Sequence, residues 1–319
     1  MNDNENTTLR LKKALKDGAA SGLKTTWFLL RIMVPVSLAV AILAWSGALG
    51  WLANVLRPAM GLIGLPGEAA LVFASSVLLS NYSAIAVMNT LSLGIREITI
   101  LALMCLIAHN MFVETAVMKQ TGSSVTRMVL LRIGAAVFVG WALNLLLPPG
   151  TLAAAGGQIA AQAKTSFLAM LGQWGMETLM LLIKVSILVF LIMIAQKLME
   201  EYRVTEGLSR IFAPLMRVFG LPREASFLWI VINVVGYAYG AGIVVERVKS
   251  GKMKSQGADL FNHHAAISHS LFEDTALYLA LGVSLFWLVI PRLLIALAVV
   301  WLEKLRRHWF RRSFKVGTA

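Results

Sequence analysis

The chain has 319 residues, of which 58% are hydrophobic and only 14% are charged, and its formal net charge is +13. Together with a mean hydropathy of +0.74, this composition excludes an ordinary soluble globular domain. The basic residues lie between apolar segments and at both ends, which is typical of the cytoplasmic face of a membrane protein and argues against nucleic acid as a partner.

The first half contains several apolar segments of the length needed to cross a bilayer as a helix. In chain order they predict a basic amphipathic N-terminal segment, a span from Trp27 to about Trp45, an interfacial helix over 51–69, a segment over 68–90 that starts apolar and turns polar at Asn81, and spans over 98–118 and 125–147.

The second half repeats the order of the first. Residues 208–225 match residues 52–69 at an offset of 156 positions, including a proline, a glycine and the sequence Leu-Pro-x-Glu-Ala. Spans over 176–196 and 286–302 correspond to the first and last spans of the first half. Unrelated apolar helices would not match in proline, glutamate, histidine and arginine, so the sequence predicts an internal duplication.

Positive charge decides the relative orientation of the two halves. If segments 68–90 and 224–246 enter the membrane and return on the same side, most lysines and arginines lie in the cytoplasm, whereas full crossings would place the basic loop from Lys197 to Arg223 outside. Glycines at Gly236–Gly242 permit the required turn. The predicted fold class is all-α: a polytopic membrane protein with inverted repeats, about six full spans and two re-entrant hairpins.

The predicted organisation has five parts and places both termini in the cytoplasm and the protein in the cell inner membrane. They are a cytoplasmic amphipathic segment (1–26), a first repeat (27–149), a linker (150–175), a second repeat (176–303) and a basic cytoplasmic tail (304–319).

An eight-residue motif occurs once in each half: HNMFVETA at 109–116 and HSLFEDTA at 269–276. Ionisable residues within a span are unfavourable unless they face a cavity or one another, so the motif is a functional candidate. His109 and Glu114 are five residues apart and do not share a helix face, which argues against a metal site within one helix. A site with one ligand from each repeat remains open, because histidine and carboxylates are suitable ligands.

The candidate site residues lie at the two hairpin tips and in the two motifs, where broken helices of inverted repeats bind their solutes. The predicted substrate-binding residues are Asn81, Tyr82, Ser83, Tyr237, Tyr239, His109, Asn110 and His269. The predicted coupling residues, which would carry a proton or cation, are Glu114, Asp274 and Glu273. No catalytic residue, metal ligand or cofactor is assigned.

Structural roles compete with functional ones for several of these polar residues. His109 and His269 could serve only as hydrogen-bonding groups between helices. Arg132 and Arg292 are expected to anchor span ends by extending toward the membrane surface. Cys105, the single cysteine, is expected to be a small buried residue.

The paired Leu-Pro-x-Glu-Ala sequences, the polar hairpin segments and the two His-x-x-Phe-x-acid-Thr-Ala motifs resemble the nucleoside recognition (Gate) membrane family. That family includes the spore maturation A and B-like proteins, and its domain also occurs in ferrous-iron permeases and concentrative nucleoside transporters. The resemblance covers nearly the whole chain as two Gate-like halves. It implies a permeation or recognition site built by the hairpins and motif helices.

The sequence favours a secondary transporter or permease for a small polar solute, nucleoside-like or anionic, bound between the hairpin tips. One alternative is a non-transporting membrane scaffold or assembly partner, and a second is a divalent-metal conduit. Signatures of soluble enzymes, such as a P-loop or Gly-x-Ser-x-Gly, do not occur, so an enzyme is not expected. The expected partners are a small-molecule or ion substrate, the lipid bilayer, and a second copy or a paired membrane protein.

Overall fold

The computed structural model describes residues 3–148, 166–234, 236–251 and 253–316. Every regular element in these ranges is an α-helix. In chain order the helices are α1 (Asp3–Trp45), α2 (Ala48–Gly61), α3 (Ala69–Leu78), α4 (Asn81–Asn89), α5 (Ile95–Ala108), α6 (Met111–Gln120), α7 (Val125–Leu146), α8 (Phe167–Glu201), α9 (Val204–Val218), α10 (Ala225–Val234), α11 (Tyr237–Lys249), α12 (Ser255–Ala265), α13 (Glu273–Leu279) and α14 (Leu285–Val316).

Helices α1 and α8, which begin the two halves, pack against each other in opposite directions. Arg10 near the start of α1 donates to the Glu201 carboxylate at the end of α8, at 2.6 Å. At the other end, the rings of Trp45 and Phe167 lie 5.2 Å apart. Midway, Gly18 lies directly against the backbone of α8, and such small residues let membrane helices approach closely. Because equivalent helices run in opposite directions, the two repeats are inverted, as the charge distribution predicts.

Helices α3 and α4 form the first hairpin. The chain breaks at Ser80, whose hydroxyl accepts from the backbone N–H of Ser83 at 3.3 Å and caps α4. Arg96, which follows the hairpin, donates to the carbonyl of Gly64, which precedes it, at 3.1 Å. The same guanidinium donates to the Asn144 side chain at 2.5 Å. The two ends of the hairpin therefore meet on one side of the bundle.

Helices α10 and α11 form the second hairpin at the opposite end of the bundle. Gly236 adopts a φ of 90° before α11, a conformation that favours glycine. The Arg247 guanidinium in the last turn of α11 lies 4.7 Å from the ring centre of Phe227 in the first turn of α10. The ends of this hairpin also lie together, so both predicted hairpins return to the side from which they start.

Within the described residues, four helical stretches are long and apolar enough to cross a membrane: Ile95–Gln120, Val125–Leu146, Phe167–Glu201 and Leu285–Trp309. The two remaining crossings follow from packing. Helix α1 accompanies α8 along its length, and α12–α13 accompanies α5–α6, because Ser255 lies against Gly122 at one end and Gly282 against Ile95 at the other. Helix α5 is buried almost throughout and forms the centre of the bundle.

The predicted segment boundaries differ from the helices at three places. The N-terminal segment and the first span form one continuous helix, α1, because no strong helix breaker separates them. Helix α8 begins at Phe167, inside the predicted linker, whose residues 150–165 lie outside the described residues. Helix α14 continues through the predicted tail to Val316. The charged ends are therefore extensions of spanning helices.

Candidate functional site

The two motif histidines lie at breaks in the spanning helices. Helix α5 ends at Ala108, and Asn110 takes a left-handed backbone conformation with a φ of 49°. In the second repeat Ser270 has a φ of 50°. Asn110 and Ser270 thus occupy equivalent positions directly after His109 and His269. Each break turns a histidine side chain into the interface between the repeats.

The backbone after each histidine is tied to the hairpin of its own repeat. The Asn110 N–H donates to the Ser76 carbonyl at 3.0 Å, and the Ser270 N–H donates to the Ile232 carbonyl at 3.0 Å. Ser76 and Ile232 are themselves equivalent positions near the ends of α3 and α10. Each hairpin and motif therefore form one hydrogen-bonded unit, and the unit occurs twice.

Four predicted site residues, two from each repeat, converge between these units. The Nε2 atoms of His109 and His269 are 3.2 Å apart. Glu114 Oε1 lies 3.1 Å from His269 Nε2 and 3.4 Å from His109 Nε2. Asp274 Oδ2 lies 3.2 Å from His109 Nε2. All four residues are buried, and we call them the central cluster.

Both imidazoles of the central cluster are oriented by backbone carbonyls. His109 Nδ1 lies 3.1 Å from the Cys105 carbonyl oxygen, and His269 Nδ1 lies 2.6 Å from that of Ala265. Because a carbonyl oxygen can only accept, each Nδ1 carries the hydrogen. When the imidazoles are neutral, each Nε2 atom therefore carries a lone pair and no hydrogen. These two lone pairs face each other and the two carboxylates. Such a set of atoms attracts protons or metal cations.

Two arginines support the motifs from the last span of each repeat. Arg132 forms an ion pair with Glu114 at 2.8 Å and donates to the carbonyls of Ile107 and His109 at 2.8 and 2.6 Å. Its side chain is fully buried. The expectation that this arginine extends to the membrane surface is wrong, because the carbonyls freed at the helix break and a buried carboxylate offer it better partners.

Arg292 occupies the equivalent position in the second repeat and is also fully buried, so the same correction applies to it. It donates to the carbonyls of Leu288 and His269 at 2.7 and 3.2 Å and to the Thr275 hydroxyl at 2.6 Å. The repeated arginine is therefore a structural part of each motif. Its recurrence at an offset of 160 was the sequence signal of this role.

The tip of the first hairpin contacts the second repeat through hydrogen-bonding side chains. Tyr278 donates to the Asn81 side-chain oxygen at 3.1 Å, and Tyr82 donates to the Glu273 carboxylate at 2.5 Å. Ser83 is buried and pairs with Ser80 within the tip. Asn81, Tyr82 and Glu273 thus adjoin the central cluster across the repeat interface, and Tyr278 is a neighbour that the sequence reasoning missed.

The tip of the second hairpin lies beside the central cluster through Tyr237. Its ring centre is 5.7 Å from that of His269, and its hydroxyl donates to the Asn262 side chain at 3.1 Å. Asn262, which was also missed, donates to the hydroxyls of Thr121 and Ser123 at 2.7 and 2.9 Å. The predicted site residue Tyr239 has a side chain outside the described part of the structure.

A cavity of about 830 Å³ extends from the basic end of the bundle toward the second hairpin. Its walls come from α1, α8, α9, α10 and α11, and include Lys24, Lys197 and Arg203. Gln196 lines this cavity and donates to the Val234 carbonyl at the hairpin tip, at 2.6 Å. The hairpin tip, with Val234 on the side of the cavity and Tyr237 beside His269, thus lies between the cavity and the central cluster.

This architecture, inverted repeats with broken helices and ionisable groups buried between them, defines a polytopic membrane protein. The chain belongs to the nucleoside recognition family: the family model described as Gate, nucleoside recognition, matches residues 26–125. An uncharacterized membrane protein, YvoD of Bacillus subtilis (strain 168), is 30% identical over 284 residues, covering 88% of this chain and 91% of the relative. No solved structure matches.

Proposed function

We propose that this protein is a secondary transporter or permease for a small polar solute, with the central cluster as its coupling site. The observation that carries the proposal is the convergence of His109, His269, Glu114 and Asp274 at 3.1–3.4 Å between inverted repeats. Buried ionisable groups in a membrane protein are costly, and in transporters they mark ion and proton pathways.

The arrangement of the hairpins supports an alternating mechanism. Each hairpin extends from a different side of the bundle and ends beside the central cluster, so movement of either tip would expose the cluster to one side. The cavity lined by Gln196 reaches the tip of the second hairpin from the basic end of the bundle. Displacement of this tip would join the cavity to the cluster, while the first tip keeps the other side closed.

The groups at the tips favour an uncharged, hydrogen-bonding solute. The hydroxyls of Tyr82 and Tyr278 and the amide of Asn81 lie beside the cluster, and such groups bind sugars, bases and similar polar molecules by donating and accepting. Nucleosides form the first class to test, because the family is described by nucleoside recognition. Anionic solutes form the second, because three bases and two acids, Glu200 and Glu206, line the cavity and leave it one positive charge in excess.

Flux into proteoliposomes under an imposed pH gradient tests the proposal. With a panel of nucleosides and small anions, the wild-type protein is expected to accumulate one class, and Glu114→Gln and Asp274→Asn are expected to abolish accumulation. Glu177→Gln is the matched control, because Glu177 accepts a hydrogen bond from neighbouring Gln173 and lies on an exposed face of α8. Unchanged accumulation in both cluster variants would remove the coupling role.

We further propose that the protein lies in the cell inner membrane and that both of its termini are cytoplasmic. Helix α9 lies between the spanning helix α8 and the second hairpin, and its basic residues support this orientation. A reporter fused after Arg210 should be active on the cytoplasmic side, and one fused after Arg57 on the outside. An outside signal from the fusion after Arg210, as full crossings would give, would contradict the inverted topology.

A scaffold role is the second candidate, and one observation favours it. Tyr82–Glu273 and Asn262–Thr121 are hydrogen bonds that join the two repeats, so the polar groups would also serve a static bundle. A stoichiometric membrane partner in pull-down experiments, with no solute-dependent stabilisation and no flux, would support the scaffold and exclude the transporter. Binding and conformational change, rather than catalysis, suit either role.

A further inference from the structure

We propose that the central cluster is a binding site for a divalent transition-metal cation, with His109 Nε2, His269 Nε2, Glu114 Oε1 and Asp274 Oδ2 as ligands. The inference rests on the proposed function in one respect only: if the protein is a transporter, this cation is its coupling ion or its cargo. Binding itself follows from the geometry and can be tested without transport.

The orientation of both imidazoles matches that of metal ligands. A histidine that binds a metal through one ring nitrogen normally donates the other N–H to a carbonyl or carboxylate, which fixes the ring. Here Cys105 and Ala265 supply those carbonyls. Both Nε2 lone pairs consequently point into the cluster, where the carboxylates of Glu114 and Asp274 are acceptors as well.

Four of the six separations between the ligand atoms fit tetrahedral coordination. Bonds of about 2.0–2.1 Å to nitrogen and oxygen, as for zinc, place neighbouring ligands about 3.3 Å apart. The distances from His269 Nε2 to His109 Nε2 and to Glu114 Oε1 are 3.2 and 3.1 Å. Those from His109 Nε2 to Glu114 Oε1 and to Asp274 Oδ2 are 3.4 and 3.2 Å. The ligand atoms of His109, His269 and Asp274 also lie within 4.8 Å of one another, so these three side chains can enclose one ion, with Glu114 as the fourth ligand.

The charges around the cluster suit an ion that binds and leaves. The two carboxylates attract a dication, and nitrogen and oxygen donors accept Zn²⁺, Co²⁺, Fe²⁺ and Mn²⁺, but the two buried arginines partly offset the carboxylate charge. The guanidiniums of Arg132 and Arg292 donate to the backbone carbonyls of His109 and His269, and their positive charge lowers the affinity of the site for a cation. A transported ion requires this balance, because a site that binds too tightly cannot release its ion.

A second group of metal-ligating residues has one histidine oriented in the same way, with Nδ1 2.6 Å from the Asp259 carbonyl oxygen, but different carboxylate partners, and it supplies the control. Asp259, His263 and Glu303 lie at the basic end of the bundle. The Glu303 carboxylate accepts from Arg306 and Arg307, Asp259 also pairs with Arg307, and His263 Nε2 lies 3.8 Å from Glu303. Both oxygens of Glu303 are thus engaged by arginine, whereas Arg132 contacts only Oε2 of Glu114 and leaves Oε1 beside the two imidazoles, so the second group is expected to bind an ion more weakly than the central cluster.

Cobalt and zinc binding to the purified, metal-stripped full-length protein tests the site. We expect one Co²⁺ per chain with the intense visible absorption of tetrahedral cobalt, displaced by Zn²⁺. His269→Ala and Asp274→Asn should each weaken binding at least about tenfold, while His263→Ala leaves it unchanged. If the variants do not fold, X-ray absorption of the zinc-loaded wild type decides: two imidazole ligands support the site, and none overturns it.

The outcomes separate this inference from the transport proposal. Absence of stoichiometric binding, or binding that is insensitive to His269→Ala and Asp274→Asn in folded protein, overturns the metal site even if a solute is transported. Binding with the predicted pattern, but with no flux of solute or metal in proteoliposomes, upholds the metal site and overturns the transporter.

Discussion

Replacement of Arg132 by methionine is expected to destabilise the protein strongly. The guanidinium is fully buried, donates to two backbone carbonyls and pairs with Glu114 at 2.8 Å. Methionine fills a similar volume but leaves the carboxylate without its partner. Removing one member of a buried ion pair typically costs about 3–5 kcal/mol, and we expect the free energy of unfolding to fall by this amount.

A second substitution separates the loss of charge pairing from the loss of hydrogen bonds. Glu114→Gln in the Arg132→Met background removes the unpaired charge, so the double variant should regain about 1–3 kcal/mol, the usual coupling of residues in direct contact. The carbonyls of Ile107 and His109 stay without this donor, at about 1–3 kcal/mol each if no other donor replaces it, so recovery should be incomplete.

The matched comparison is Arg292→Met, in the equivalent position of the second repeat. Arg292 donates to neutral groups, the carbonyls of Leu288 and His269 and the Thr275 hydroxyl, so its replacement should cost less than that of Arg132. Unfolding of purified protein in mixed micelles of dodecyl maltoside and dodecyl sulfate measures all variants. A loss below about 1 kcal/mol for Arg132→Met, far short of the expected range, would refute the reasoning.

Two further predictions concern the attachment of each hairpin. Gly64 has a φ of 68°, and a Cβ there would collide with the Asn144 side chain, so Gly64→Ala should lower the melting temperature and loosen the first hairpin. Gly61→Ala, where a Cβ meets open space, should not, and equal losses would contradict the assigned contact. Gln196→Leu removes the donor to the Val234 carbonyl, so amide exchange in α10–α11 should rise; unchanged exchange would show that this bond does not hold the tip.

The course of the chain through the membrane could be read largely from the sequence. Apolar length, the repeat at 156–160 positions and the distribution of lysine and arginine predict inverted repeats with two hairpins, and the antiparallel packing of α1 and α8 confirms this arrangement. These signals can be read from the sequence because the length of a span and the charge of a loop do not depend on which side chains contact one another in the folded bundle.

Helix continuity was predicted less well than span position. The N-terminal basic segment reads as a separate surface helix, yet it continues into the first span as α1. Conversely, residues 98–118 read as one helix, but the chain breaks at Asn110. Asparagine adopts the left-handed conformation at a low conformational energy, so its presence alone does not mark a helix break. The hydrogen bond from its N–H to the Ser76 carbonyl shows why the break occurs there.

The sequence by itself determined that a His and acid motif occurs twice within apolar helices, and therefore that each repeat contributes one half of a candidate site. Only the tertiary structure decided which atoms meet. His109 and His269 are 160 positions apart, and their contact at 3.2 Å depends on the helix breaks, the antiparallel repeats and the buried arginines together. Contacts of this kind are set by the packing of the whole bundle, which local sequence pattern does not encode.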